Sequence, residues 1–226
     1  RNTSYTGLQE LRDNKHWLSS YNLDTAKLLL SPIRAVDRPD GGLSSVMNKR
    51  RLRLLDFGAG IGTLTHAMAD LGVEADFLCV EPDQTLRECI ASWAQVAPSL
   101  EDGHWHGSVD LAFSSNVLEH IQDDVGALSE LSQCLHKNGY IAIYVPALPC
   151  LWTSMDDHVG HYRRYTRRSL NAAAECAGLK VKKITYVDSV GALATLVYKL
   201  LEWLRGPKPY QPPPAAALRV DDHAIW

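Results

Sequence analysis

Cysteine is sparse and unpaired in this chain of 226 residues: Cys79, Cys89, Cys134, Cys150 and Cys176 are an odd number without a CxxC spacing among them. That excludes a disulfide framework and a zinc knuckle, and it fits a reducing, cytoplasmic setting. Net charge is nearly absent too, with 23 Lys+Arg against 26 Asp+Glu for a formal −3. No overall field draws such a molecule to phosphate backbones or acidic membranes, so nucleic acid is not an expected partner. The most apolar stretch, VGALATLVYKLLEWLRG from Val190 to Gly206, is interrupted by Lys199, Glu202 and Arg205 and is too short to span a bilayer. Internal repeats are missing, and the sequence opens at Arg1 with neither an initiator Met nor a signal-peptide pattern, so further residues beyond its ends are expected.

What is present is ordinary globular composition, 46% hydrophobic and 22% charged, at a length that suits one α/β domain with a small appendage. From Gly7 to Leu30, leucines at helical spacing predict one or two helices limited by Pro32. Pro39, Asp40, Gly41 and Gly42 and the basic run Lys49 to Arg53 read as a linker. Then Leu52 to Phe57 predicts a strand, Gly58 to Gly62 a turn, Thr63 to Leu71 a helix, Ala75 to Val80 a strand, and Thr85 to Val96 a helix stopped by Pro98. Val109 to Ser115 and Tyr140 to Val145 predict strands, with a helix from Asp123 to His136 ended by Asn138-Gly139 between them. A helix over Ser169 to Ala177 and a strand over Lys180 to Val187 follow, and one more short strand is expected between Pro98 and Asp110. The βαβα alternation predicts a doubly wound, mostly parallel sheet in a three-layer α/β/α fold.

The strongest chemical signal is LLDFGAGIG, Leu54 to Gly62. Glycines at Gly58, Gly60 and Gly62 let the chain turn from strand to helix and leave bare backbone facing a ligand. Dinucleotide sites use GxGxxG, and the third glycine of that pattern would fall at Thr63, so an NAD-dependent oxidoreductase is the weaker alternative. Glu81 ends the second strand, where an acid can accept both hydroxyls of a ribose. The alternatives are a ligand-free turn and an acid placed at a helix N-terminus.

With these residues the chain resembles the class I S-adenosylmethionine-dependent methyltransferases. DFGAGIG is similar to their first motif, VEPD (Val80 to Asp83) to the acidic second-strand motif, VDLAFSSNVLEHI (Val109 to Ile121) to the fourth-strand motif, and KNGYIAIYVP (Lys137 to Pro146) to the entry of the fifth strand. The resemblance implies that Gly58, Ala59, Gly60 and Gly62 face the methionine end of S-adenosylmethionine, Glu81 its ribose, and Pro82 and Asp83 its adenine edge. It also implies that Asn116 lies beside the sulfonium and that Asp56 orients the glycine loop or the methionyl amine. Two parts of the family pattern are missing. The acid after the third strand finds no place between Pro98 and Asp110, and a seventh strand does not appear before Trp226, so the domain is expected to be incomplete.

A second constellation, Asp156 to Tyr165, carries the pattern DxxxGHxRRY, which resembles a bacterial subset associated with glycan, lipid or secondary-metabolite pathways. Here His161 could take a proton from an attacking hydroxyl or amine and Asp156 could orient it, making these the candidate catalytic residues. Arg163, Arg164, Tyr165 and His120 are the candidate acceptor-binding residues, the arginines for a carboxylate or phosphate. The alternatives are solvated arginines, a buried structural His161, and capping or packing roles for Glu119 and His120. His104, His106, His158 and His161 lack supporting Cys or carboxylate spacing, so a metal is not expected. Lys15-His16-Trp17, with Tyr21, resembles an aromatic stretch that some relatives fold over the cofactor.

Methyl transfer is an in-line displacement governed by alignment, so the absence of a Ser/His/Asp triad is no objection. The Asn/Asp-Pro-Pro-aromatic signature of amino-methylating DNA enzymes is replaced by Ser115-Asn116-Val117-Leu118. The expectation is a methyltransferase acting on an oxygen or nitrogen of a small molecule, glycan or lipid intermediate, with a non-catalytic partner-binding protein of the same fold as a further alternative. The expected organisation is an N-terminal helical cofactor cover at 1–48, a core at 49–188, and an apolar helix with a Pro-rich segment at 189–226. Residues 190–204 are a candidate membrane-surface or protein contact.

Overall fold

The computed structural model describes residues 19–34 and 51–206. In chain order these form helices α1 (Ser19–Leu29) and α2 (Ser31–Arg34), strand β1 (Leu52–Phe57), α3 (Thr63–Asp70), β2 (Ala75–Val80), α4 (Gln84–Ile90), β3 (Gln95–Ala97), α5 (Leu100–Gly103) and β4 (Val109–Ser115). A 3-10 turn at Leu118–His120 leads to α6 (Asp124–Cys134) and β5 (Leu135–Tyr144). A second such turn at Pro149–Leu151 precedes α7 (Ser154–His158), α8 (Arg167–Cys176) and α9 (Ser189–Arg205). The strands make one sheet in the order β3-β2-β1-β4-β5, every pair parallel.

A parallel sheet covered on both faces needs strands apolar on both sides, which is how β1 and β4 read. Leu55, Phe57 and Ala112 pack with Leu128 and Leu131 of α6 and Ala173 of α8. Leu54, Leu111 and Phe113 pack on the other face with Ala26 and Leu29 of α1 and Ala67 and Met68 of α3. Burying a side chain of the size of Phe57 or Phe113 contributes roughly 1.5–3 kcal/mol, so the central strands form a rigid base for whatever their carboxyl ends carry. The chain runs outward from β1 to β3, then returns to β4 on the opposite side of β1, so the topological switch lies between β1 and β4.

Five named strands and a further short one between Pro98 and Asp110 are expected; five form among the described residues, and they are not all the expected ones. The third strand lies at Gln95–Ala97, inside the stretch that reads as the end of a helix, and it pairs with Leu78, Cys79 and Val80. A strand of three residues is shorter than any periodicity test, and the helix leaves its axis where the Trp93 indole N–H donates to the Cys89 carbonyl at 3.0 Å. The segment 98–110 instead forms α5, capped by Ser99. Asn138-Gly139 does not end a helix: α6 stops at Cys134, and Gly139 lies within β5, where a Cβ would meet the Val109 carbonyl oxygen at 2.8 Å. Lys180 to Val187 pairs with no strand among the described residues. Its three lysines cannot be buried, and an unpaired strand would leave its backbone groups unsatisfied.

Lys15-His16-Trp17, most of the 38–53 linker and the Pro-rich segment after Gly206 lie outside the described residues. Tyr21 lies within them; its hydroxyl donates to the Tyr144 hydroxyl at 3.1 Å, which sets α1 against the carboxyl end of β5.

Candidate active site

The glycine turn is built by its backbone. Gly58, Gly60 and Gly62 have φ of 78°, 57° and 77°, a region that other residues enter at a cost. Space forbids a side chain as well: a Cβ on Gly58 would stand 2.3 Å from Val117 Cγ2, and one on Gly62 would stand 2.5 Å from the Trp93 ring. Gly60, by contrast, faces open space. The N–H groups of Gly58 and Ala59 both donate to the Val80 carbonyl, at 2.9 and 3.0 Å, and lash the turn to the end of β2.

Glu81 completes this side. Its Oε2 accepts the Gly60 N–H at 2.8 Å and its Oε1 the Asp83 N–H at 3.0 Å, while burial raises its pKa above the usual carboxylate value. Pro82 follows, and Asp83 caps α4 by accepting the Leu86 N–H at 3.0 Å. Asp56 points away from the turn's open side. It is 3% exposed, accepts the Thr65 hydroxyl at 2.7 Å and is pushed up to about 7, chiefly by burial. It therefore touches the loop through the first turn of α3, not through an exposed carboxylate.

Across the switch, β4 delivers Asn116 in a left-handed conformation, φ 55°, with its N–H donating to the Tyr144 carbonyl at 2.9 Å. Val117 then packs under Gly58, and Leu118 and Glu119 turn into the interior.

The acceptor-side segment is organised around Asp156, which is 1% exposed. Arg164 grips it with two nitrogens, Nε on Oδ1 at 2.6 Å and Nη2 on Oδ2 at 2.9 Å. The Thr153 N–H donates to Oδ2 at 2.8 Å, and His161 Nδ1 lies 2.8 Å from Oδ1. Burial alone would raise the Asp156 pKa, but the hydrogen bonds from Arg164, Thr153 and His161 outweigh it and hold it at about 2. The other imidazole nitrogen of His161, Nε2, lies 3.9 Å from Glu119 Oε1, and the His120 ring stands edge-on to His161 with centroids 4.6 Å apart.

The fold thus brings His161 and Asp156 together and adds His120 beside them. It assigns the arginines differently from the sequence reading. Arg164 is spent on Asp156, and Arg163 on Asp124 Oδ2 at 2.8 Å and the Gln122 carbonyl at 2.7 Å. Tyr165 is buried and donates to Asp124 Oδ2 at 2.7 Å. Arg163 and Tyr165 hold the segment onto the 3-10 turn and α6, while Arg164 ties it to α7 through Asp156, so all three side chains are engaged within the protein. Sequence reasoning missed Asp124, Thr153 and Trp93, whose roles come from residues brought together by the fold; Glu119, within VLEHI, is weighed there with a capping or packing role favoured. Of the four histidines weighed for a metal, His161 is the one that joins a carboxylate cluster among the described residues, and its companions are Glu119 and His120.

Comparison with known proteins agrees with this architecture. The model of a methyltransferase domain family matches residues 18–184. No curated protein matches the chain. Among solved structures, the YcgJ protein of Bacillus subtilis is similar with a TM-score of 0.51 at 18% identity, over 63% of this chain and 70% of its own. A chain from the Haloferax volcanii complex of the Trm112 methyltransferase activator and a methyltransferase gives a TM-score of 0.59 at 14% identity, over 84% and 86%. At such identities the structural likeness is one of fold, the five-stranded parallel sheet with flanking helices. The family match runs from α1 through every strand to the segment beyond α8, and on that ground the chain belongs to the methyltransferase domain family.

Proposed function

We propose that this methyltransferase moves the methyl group of S-adenosylmethionine to an oxygen or nitrogen of a lipid-linked acceptor, within the subset that carries DxxxGHxRRY, in the cytoplasm. The observation that carries the donor reading is the closure of Glu81 on Gly60 at 2.8 Å, which sets a buried carboxylate against a bare glycine backbone at the switch point. S-adenosylmethionine supplies an electrophilic methyl carbon on its sulfonium. Glu81 accepts the ribose hydroxyls, Gly58, Ala59, Gly60 and Gly62 line the methionine end, Pro82 and Asp83 border the adenine, and Asn116 lies at the sulfonium. The acceptor comes from the side of Asp156, His161, His120 and Glu119, the side chains that weaken its hold on a proton. The N-terminal segment, 1–48, is the candidate cover, and Tyr21 of α1 meets Tyr144 at the end of β5.

A lipid is favoured over a free glycan or small molecule by α9. Its Lys199 Nζ donates to the Cys150 carbonyl at 2.7 Å and its Glu202 contacts Ser154, so the helix lies along the acceptor-side segment. Its outer face is apolar, with Val190 77% and Trp203 76% exposed. No helix among the described residues is long and apolar enough to cross a membrane, so a surface contact is the fitting mode. The test is transfer of a radiolabelled methyl group into a cell extract partitioned between organic and aqueous phases. Label in the organic phase, reduced at least about 10-fold by Leu200→Glu with Trp203→Glu, supports the reading; label confined to the aqueous phase overturns the lipid acceptor.

A further inference from the structure

Glu119 is an anomaly among the buried side chains of the described residues. Its side chain is fully buried, and neither carboxylate oxygen has a hydrogen-bond partner among the described residues. Buried polar groups are almost always paired, because an unpaired one costs the hydration it gave up. What faces Glu119 is two imidazoles. One ligand atom from each of Glu119, His120 and His161 falls within 4.8 Å of the others.

We infer that Glu119, His120 and His161 form a binding site for one divalent first-row transition-metal cation at the acceptor side of the pocket. Two imidazole nitrogens and one carboxylate suit zinc, manganese or iron(II), and they leave coordination positions open. Ligand atoms about 2.1 Å from such a cation stand at most about 4.2 Å apart, so the cluster closes with side-chain shifts on the order of 1 Å. His161 is oriented as a ligand: Nδ1 is held by Asp156 at 2.8 Å, which leaves Nε2 turned toward Glu119. A carboxylate behind a metal-binding histidine is the usual supporting arrangement, and it gives the Arg164-Asp156 pair a positioning role.

The chemical role rests on the proposed reaction; the existence of the site does not. An acceptor hydroxyl on the cation releases its proton to solvent. Its oxygen lone pair then forms the new O–C bond as the S–C bond breaks and that electron pair returns to sulfur.

The test uses the whole chain stripped with a chelator, titrated with Co2+ by visible absorption and with Zn2+ by competition, while calorimetry follows S-adenosylmethionine in parallel. One equivalent of Co2+ is expected, with affinity at least about 100-fold lower in Glu119→Gln and in His161→Ala, about 10–100-fold lower in Asp156→Asn, and unchanged in His158→Ala. In the wild-type chain Zn2+ should also shift the Nε2 resonance of His161, a readout that needs no variant to fold. A chain that binds S-adenosylmethionine but takes up none of Co2+, Zn2+ or Mn2+, or whose uptake survives both ligand substitutions, overturns the cation site. Uptake of Co2+ without binding of S-adenosylmethionine supports the cation site and overturns the donor reading.

Discussion

Between Gly58 and Asp83 the candidate site is held mainly through the main chain: the turn hangs from the Val80 carbonyl, and Glu81 accepts two backbone N–H groups. Between Thr153 and Tyr165 it is held by charged side chains, with Arg164 on Asp156 and Arg163 on Asp124. The first construction fixes a shape that few residue types can adopt. The second fixes charged groups a few ångströms from one another and depends on each keeping its partner. Substitutions should therefore fail differently at the two ends, through loss of cofactor affinity at the glycine turn and through loss of stability at the acceptor segment.

The largest effect is expected from Arg164→Ala. It leaves the Asp156 carboxylate buried without its bidentate partner, and removing one partner of a buried pair costs about 3–5 kcal/mol, to be read by denaturant unfolding. Next, Gly58→Ala combines a left-handed backbone with a clash against Val117, roughly 2–4 kcal/mol together, and calorimetry should find S-adenosylmethionine affinity lowered by about 100-fold or more. Glu81→Ala should lower that affinity by about 10–100-fold and also cost about 1–3 kcal/mol of stability, because the Gly60 and Asp83 N–H groups lose their acceptor.

Acid should separate the two ends further. Because the folded pKa of Asp156 is held near 2 against an ordinary 3.8, its contribution is complete above pH 3.8 and is lost as pH falls through 2. That contribution is about 2 kcal/mol, and Asp156→Asn should flatten it in unfolding midpoints taken between pH 4 and 2. Glu119 has the opposite sign: with a folded pKa near 8 against 4.5, it costs stability as pH rises from 4.5 through 8, and Glu119→Gln should remove that slope in the metal-free chain. The smallest effect belongs to Gly60→Ala, where φ is 57° but no atom lies within 4 Å of the new Cβ; the fold should lose only about 1–2 kcal/mol in thermal unfolding.

The same contrast explains what the amino-acid order disclosed. β1, β2 and β4 have the bounds expected from their apolar runs, because strands buried on both faces announce themselves. The glycine turn was legible because only backbone chemistry shapes it. β3 was not, since three residues carry no period, and Lys180 to Val187 has alternation but no partner strand among the described residues. At the acceptor end the residue types were visible and their pairings were not. Tyr165 meets Asp124 from 41 positions away, and Arg163 was read as an anion clamp because nothing local shows that Asp124 and the Gln122 carbonyl already occupy it. Glu119 is the extreme case, an orphan whose isolation exists only once the interior has closed around it.

Calorimetric titration with S-adenosylmethionine, with NADH in parallel, asks directly whether the glycine turn and Glu81 together hold a sulfonium cofactor. One equivalent of S-adenosylmethionine and no NADH should bind, with the S-adenosylmethionine signal lost in Gly58→Ala and strongly weakened in Glu81→Ala. Failure of the folded chain to bind S-adenosylmethionine, or binding indifferent to both substitutions, would contradict that reading.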